Sequence, residues 1–132
     1  MRTLLTLVTL LMTQLCHAQL LLQPETDNDT VGYKTVDEAL ADLRVKPGVE
    51  LSDRQGWTIA TDRGAQTIWS FTPKGHAAYP AVVKRTVTEH DGSVFIRMGV
   101  LCQSDKLACD QLVVEFNQMN ERMRQSMAKK PN

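Results

Sequence analysis

The tetrad His90-Asp91-Gly92-Ser93 constrains the fold of this chain more than any other short stretch. Asp-Gly suits the positive φ angles of a two-residue type I′ turn, and apolar residues alternate with polar ones on both sides of it. One strand is therefore expected to run into the turn over residues 81–89 and a second to leave it over 94–102. A two-residue loop fixes their register: Val87 opposite Ile96, Arg85 opposite Met98, Val83 opposite Val100, Ala81 opposite Cys102. One face then collects Ala81, Val83, Val87, Val94, Ile96, Met98, Val100 and Cys102. The other carries Lys84, Thr86, Thr88 and Arg97 and is expected to be largely wet. Arg85 is the exception, a charge on the apolar face. An unpaired buried charge is costly, so its head is expected to reach a carboxylate such as Glu115 or Glu121, a carbonyl, or the sheet edge.

Two more β-branched and aromatic segments, residues 49–61 and 67–71, read as strands. The join Asp62-Arg63-Gly64-Ala65 admits a two- or three-residue loop, which leaves the faces of Trp57 and Trp69 open. Ahead of them, Thr35-Val36-Asp37-Glu38 has capping-box spacing, and Val36, Ala39, Leu40 and Leu43 recur at helical intervals until Lys46-Pro47-Gly48. At the other end, Ser104 is the expected N-cap of a long helix and Asp105 suits its dipole. Leu112, Val113, Phe116, Met119, Met123 and Met127 form its apolar stripe, and fraying is expected near Lys129. The expected fold is α+β: a short helix, a four-stranded antiparallel meander, and a long helix packed on one sheet face. It occupies residues 34–128 as a single domain.

What precedes that domain reads as an export signal. Arg2 stands before an uncharged apolar run, polarity returns at Gln14, and Cys16-His17-Ala18 offers small residues at the −3 and −1 positions of a cleavage site. Residues 1–18 are expected to be removed, leaving residues 19–33 as a flexible lead-in. Gln14, His17 and Gln19 interrupt the apolar stretch too early for a membrane anchor, so no stable span is expected after cleavage. Cleavage also removes Cys16, and Cys102 and Cys109 remain as an even pair, the pattern of a disulfide in an oxidising compartment. Lys+Arg and Asp+Glu both number 15 in the whole chain, and this balance argues against an electrostatic nucleic-acid binder.

Motifs for chemistry are sparse. From Asp27 the chain partly imitates a calcium loop, with Gly32 at position 6 and Glu38 at position 12, but Val31 stands where an oxygen ligand belongs. A polar linker followed by a capping box explains the same residues. His76 and His90 are the histidines left after cleavage, and with a disulfide pair they do not make a zinc site. No Gly-x-Ser-x-Gly elbow and no phosphate-cradling glycine loop occurs. No cofactor or metal is therefore expected.

Residues 67–85 stand out by gathering aromatics, two prolines and a histidine in a connection too long for a tight hairpin. Pro73 and Pro80 limit its backbone freedom, and Trp69, Phe71, His76, Tyr79, Lys84 and Arg85 are the candidate binding residues. This stretch, with the Cys102…Cys109 pair and Asn120-Glu121-Arg122-Met123-Arg124, resembles a family of small, uncharacterised signal-peptide-bearing proteins of Gram-negative bacteria. The resemblance implies a periplasmic address and nothing catalytic. The expected function is that of a non-enzymatic periplasmic or secreted binding protein, an envelope accessory factor or inhibitor, with a protein or envelope component as partner. The alternatives are a small envelope enzyme using His76 and a self-associating structural protein.

Overall fold

In the segment expected as one strand, residues 49–61, Gln55 and Gly56 take φ of 51° and 85°. Those angles make a tight turn, so the segment folds back on itself and the sheet has five strands rather than four. The structure is a computed structural model that describes residues 30–128. The expected signal peptide, the part of the lead-in before Thr30 and the expected fraying end lie outside those residues. In chain order the elements are α1 (Val36–Val45), β1 (Val49–Arg54), β2 (Trp57–Asp62), β3 (Thr67–Phe71), β4 (Ala81–His90), β5 (Ser93–Cys102) and α2 (Lys106–Ala128). The strands form one antiparallel meander in sequence order, and the fold class is α+β.

The β4–β5 hairpin has the register its turn dictates. Asp91 and Gly92 take φ of 50° and 74°, and the Cα partners include Ala81 with Cys102, Val83 with Val100, Arg85 with Met98 and Val87 with Ile96. At the β2–β3 join Asp62 pairs with Thr67, so the loop is 63–66, longer than the two or three residues expected. It is braced by Asp62 Oδ1, which accepts from the Ala65 N–H at 2.9 Å. This loop length puts Trp57 and Trp69 on opposite faces of the sheet.

Each face has its own helix. On one side α1 lays Val36, Ala39 and Leu43 against Ala60, Trp69, Phe71 and Val82, with Tyr33, Val49 and Leu101 around them. This is the face expected to be wet, and beneath α1 it is core, although Leu51 and Phe95 on the same face stay exposed. The expectation rested on the two strands of one hairpin; pairing with β3 sets Phe71 beside Val82 and Trp69 beside Lys84, and α1 then covers them. Among its polar groups the Thr67 and Thr86 hydroxyls join at 3.0 Å, while Trp69 Nε1 is buried without a partner. The capping box sets the angle of α1: Thr35 Oγ1 accepts from Glu38 N, and Glu38 Oε2 accepts from Lys34 N.

On the opposite side α2 packs Leu112 and Phe116 over Ala81 and Val83, flanked by Met98, Val100 and Cys102. Its N-cap is Asp105, whose Oδ1 accepts from Ala108 N at 3.0 Å, rather than Ser104. Ser104 Oγ instead donates to Ala77 O at 2.9 Å. The Cys102–Cys109 disulfide ties the end of β5 to the first turn of α2 across a Cα separation of 5.8 Å. Closing so short a loop is worth about 2.5 kcal/mol against the unfolded chain.

Candidate functional site

The two faces divide four of the six candidate binding residues, and the loop between β3 and β4 holds the other two. Trp69, Phe71 and Lys84 lie on the α1 side. Trp69 and Phe71 are 5% and 4% exposed, and they are core residues. Lys46 Nζ sits 5.7 Å from the Trp69 ring centroid, and Lys84 Nζ donates to Thr30 O at 3.2 Å. His76 and Tyr79 belong to the loop at the end of the sheet, and Arg85 faces α2.

The loop, residues 72–80, is fixed by its own backbone. Thr72 N donates to Ala81 O at 3.0 Å, and Ala81 N donates back to Thr72 Oγ1 at 2.9 Å, closing its base. His76 N donates to Pro73 O and Tyr79 N to His76 O, forming two successive turns. The strand-to-helix connection holds it from outside, through Gln103 N on Pro80 O and Ser104 Oγ on Ala77 O. Ala78 N donates to His76 Nδ1 at 3.1 Å. A backbone N–H can only donate, so Nδ1 is the acceptor and the ring proton sits on Nε2. The Tyr79–Pro80 peptide is cis, and Tyr79 is 40% exposed.

From this loop a row of rings runs inward. His76 meets Trp57 edge-on at 5.2 Å, Trp57 meets Phe116 at 5.8 Å, and the Arg85 guanidinium lies 5.1 Å from the Phe116 centroid. Arg85 is 9% exposed, and burial pushes its pKa down by stripping water from the charged form. Its Nη1 donates to Met119 Sδ at 3.3 Å and to Met123 Sδ at 3.5 Å, while Nε is buried with no partner.

The expected carboxylate is not there. Glu115 accepts from Gln111, and Glu121 accepts from Arg124 and Gln125, all on the outer surface of α2. Helical spacing turns both acids away from the sheet. Asn120 is buried beside this row: its Nδ2 lies 3.5 Å from Met98 Sδ, and its Oδ1 has no partner. Trp57, Phe116 and Asn120 were not among the candidate residues. Asn120 was legible as the polar member of the spacing Leu112, Phe116, Asn120, but Trp57 depended on the β2–β3 loop length.

The chain matches no protein-family model, no curated protein and no solved structure. Among the described residues no three His, Cys, Asp or Glu side chains gather to hold a metal ion, and no helix is long and apolar enough to cross a membrane. At the loop the donors are His76 Nε2–H and the Tyr79 hydroxyl, which suit recognition of acceptors, while the Arg85 guanidinium lies apart, buried against α2.

Proposed function

We propose that this chain is an exported, non-enzymatic binding protein of the cell envelope, and that it binds a partner through the 72–80 loop and the ring row behind it. The observation that carries this reading is the loop itself, pinned at its base and crown while Tyr79 stays exposed and His76 half-exposed. A pre-ordered loop loses little conformational entropy on docking, and a displayed tyrosine supplies rigid amphipathic contact area. The disulfide and the apolar, small-residue-terminated start of the chain support a periplasmic or secreted location. Among the described residues His76 has backbone and ring partners but no acid or hydroxyl, and that favours recognition over catalysis.

The test joins His76→Ala with Tyr79→Ala. Capture of a stoichiometric partner from envelope extracts should be lost, while the melting temperature stays within a few degrees of wild type. Intact capture with a stability loss of about 2 kcal/mol or more would mark the loop as core packing instead. The intact mass of the exported protein should correspond to a chain beginning at Gln19.

A further inference from the structure

Among the described residues the sheet ends in two unlike edges, β1 and β5. An outermost strand offers a row of N–H and C=O groups with which another strand can pair, and natural edges are guarded by charge or by shortness. β1 has both guards: it is six residues long, and Glu50, Asp53 and Arg54 stand on it. β5 has neither. It runs for ten residues with Arg97 as its single charge, and Phe95 on it is 49% exposed.

The hairpin decides which backbone groups of β5 face out. Along an antiparallel strand, successive residues bond alternately to the neighbour on one side and the other. The two-residue turn pairs Ser93 with His90, and Gln103 N donates to Pro80 O, so the odd-numbered residues bond to β4. Val94, Ile96, Met98, Val100 and Cys102 therefore turn their N–H and C=O groups away from the sheet. Both flanks of this edge are built up. Gly32 and Lys34, just before α1, and Val113 of α2 stand around Met98 and Val100, and the groove between them holds about 590 Å³. Toward the turn, Glu121 and Arg124 of α2 flank Val94.

We infer that this edge pairs with the same edge of a second copy of the chain, antiparallel about a two-fold axis at Met98, joining two sheets into one. The side chains select that register. Centred on Met98, Phe95 stands opposite Leu101 and Arg97 opposite Gly99, so the exposed ring gains an apolar neighbour and the charge meets no like charge. On the α2 side Ile96 stands opposite Val100 and enters the groove beside Val113. Centring on Arg97 instead would set the two arginines directly against each other, which is destabilising. A two-fold contact closes at two copies, so both β5 edges are used and only the guarded β1 edges remain outermost. None of these contacts involves the 72–80 loop.

Sedimentation equilibrium of the exported protein should show its mass rising from monomer to dimer between micromolar and millimolar concentration. Phe95→Lys should weaken the dimer about tenfold or more, with the melting temperature within a few degrees of wild type. In a mixture of isotope-labelled and unlabelled wild-type copies, filtered NOE spectra should join Hα of Arg97 to Hα of Gly99, and Hα of Phe95 to Hα of Leu101, across the interface. Those cross-peaks decide the question alone should Phe95→Lys fail to fold. A strictly monomeric mass at millimolar concentration would overturn the proposal, and slow amide exchange at Met98 and Val100 in that monomer would give the edge to another part of the chain. A dimer that Phe95→Lys leaves as tight as wild type would refute this interface, and cross-peaks joining Arg97 of one copy to Arg97 of the other would refute the register.

Discussion

The two faces of the sheet are packed on different principles. The α1 side is the more closed of the two: Leu43 and Val82 are fully buried, Trp69 and Phe71 nearly so, and the buried Thr67 and Thr86 hydroxyls satisfy each other. The α2 side buries an arginine and an asparagine, each with an atom left without a partner, and lines them with methionine sulfurs. Buried atoms without a partner occur on both faces, Trp69 Nε1 on the α1 side and Arg85 Nε and Asn120 Oδ1 on the α2 side, and what sets the α2 side apart is the cation buried among methionine sulfurs. A buried cation without an acid is a costlier departure than an unpaired indole N–H, so the α2 side carries the larger penalty. It also adjoins the fixed loop through His76, Trp57 and Phe116.

The contrast is open to direct attack. The largest effect should come from the closed face: Phe71→Ala should cost about 3–5 kcal/mol in a denaturant melt, since α1 pins the walls of the cavity it leaves. On the other face Arg85→Met should change stability by less than about 1 kcal/mol, or raise it, because an apolar chain of similar length removes an uncompensated charge. A loss above about 2 kcal/mol would show that both faces are ordinary core and would dissolve the distinction. The smallest effect concerns Tyr33, whose hydroxyl donates to Asp42. Burial, the hydrogen bond to Asp42 and the charges of Asp42 and Glu38 push its pKa up to about 12. A raised folded-state pKa means its contribution to stability is intact below the ordinary tyrosine value of about 10, and is lost as pH climbs from there toward 12. A pH titration of the Tyr33 ring signals should give a midpoint near 12, and Asp42→Asn should lower it. An unchanged midpoint in that variant would remove the acid from the explanation.

Features written in neighbouring residues were legible from the sequence alone. Asp91-Gly92 set the turn and therefore the register of the β4–β5 hairpin, because this pair readily takes the positive φ at both positions that a two-residue type I′ turn requires. Thr35 and Glu38 announced the start of α1, and the pair Cys102 and Cys109 announced the bridge to α2. Gln55-Gly56 was missed: no loop-length signal surrounds it, and β-branched residues continue on its far side.

What stayed hidden was which element covers which face. Alternation along a strand states that two faces differ, but whether a face is wet depends on what later docks there. Thr86 looked like a solvent residue until β3 paired beside it and set Thr67 against its hydroxyl, while Lys84 beside Trp69 stays only partly buried. The surroundings of Arg85 were likewise beyond any local pattern. Its contacts lie 34 and 38 residues away on α2, and the helical phase that brings Met119 and Met123 inward also turns Glu115 and Glu121 outward. Local sequence fixes dihedral angles and periodicity, and so it determined the elements and the hairpin. Only the docking of α2 on the sheet decided that a buried cation would lack an acid, because that depends on the rotation of one element against another.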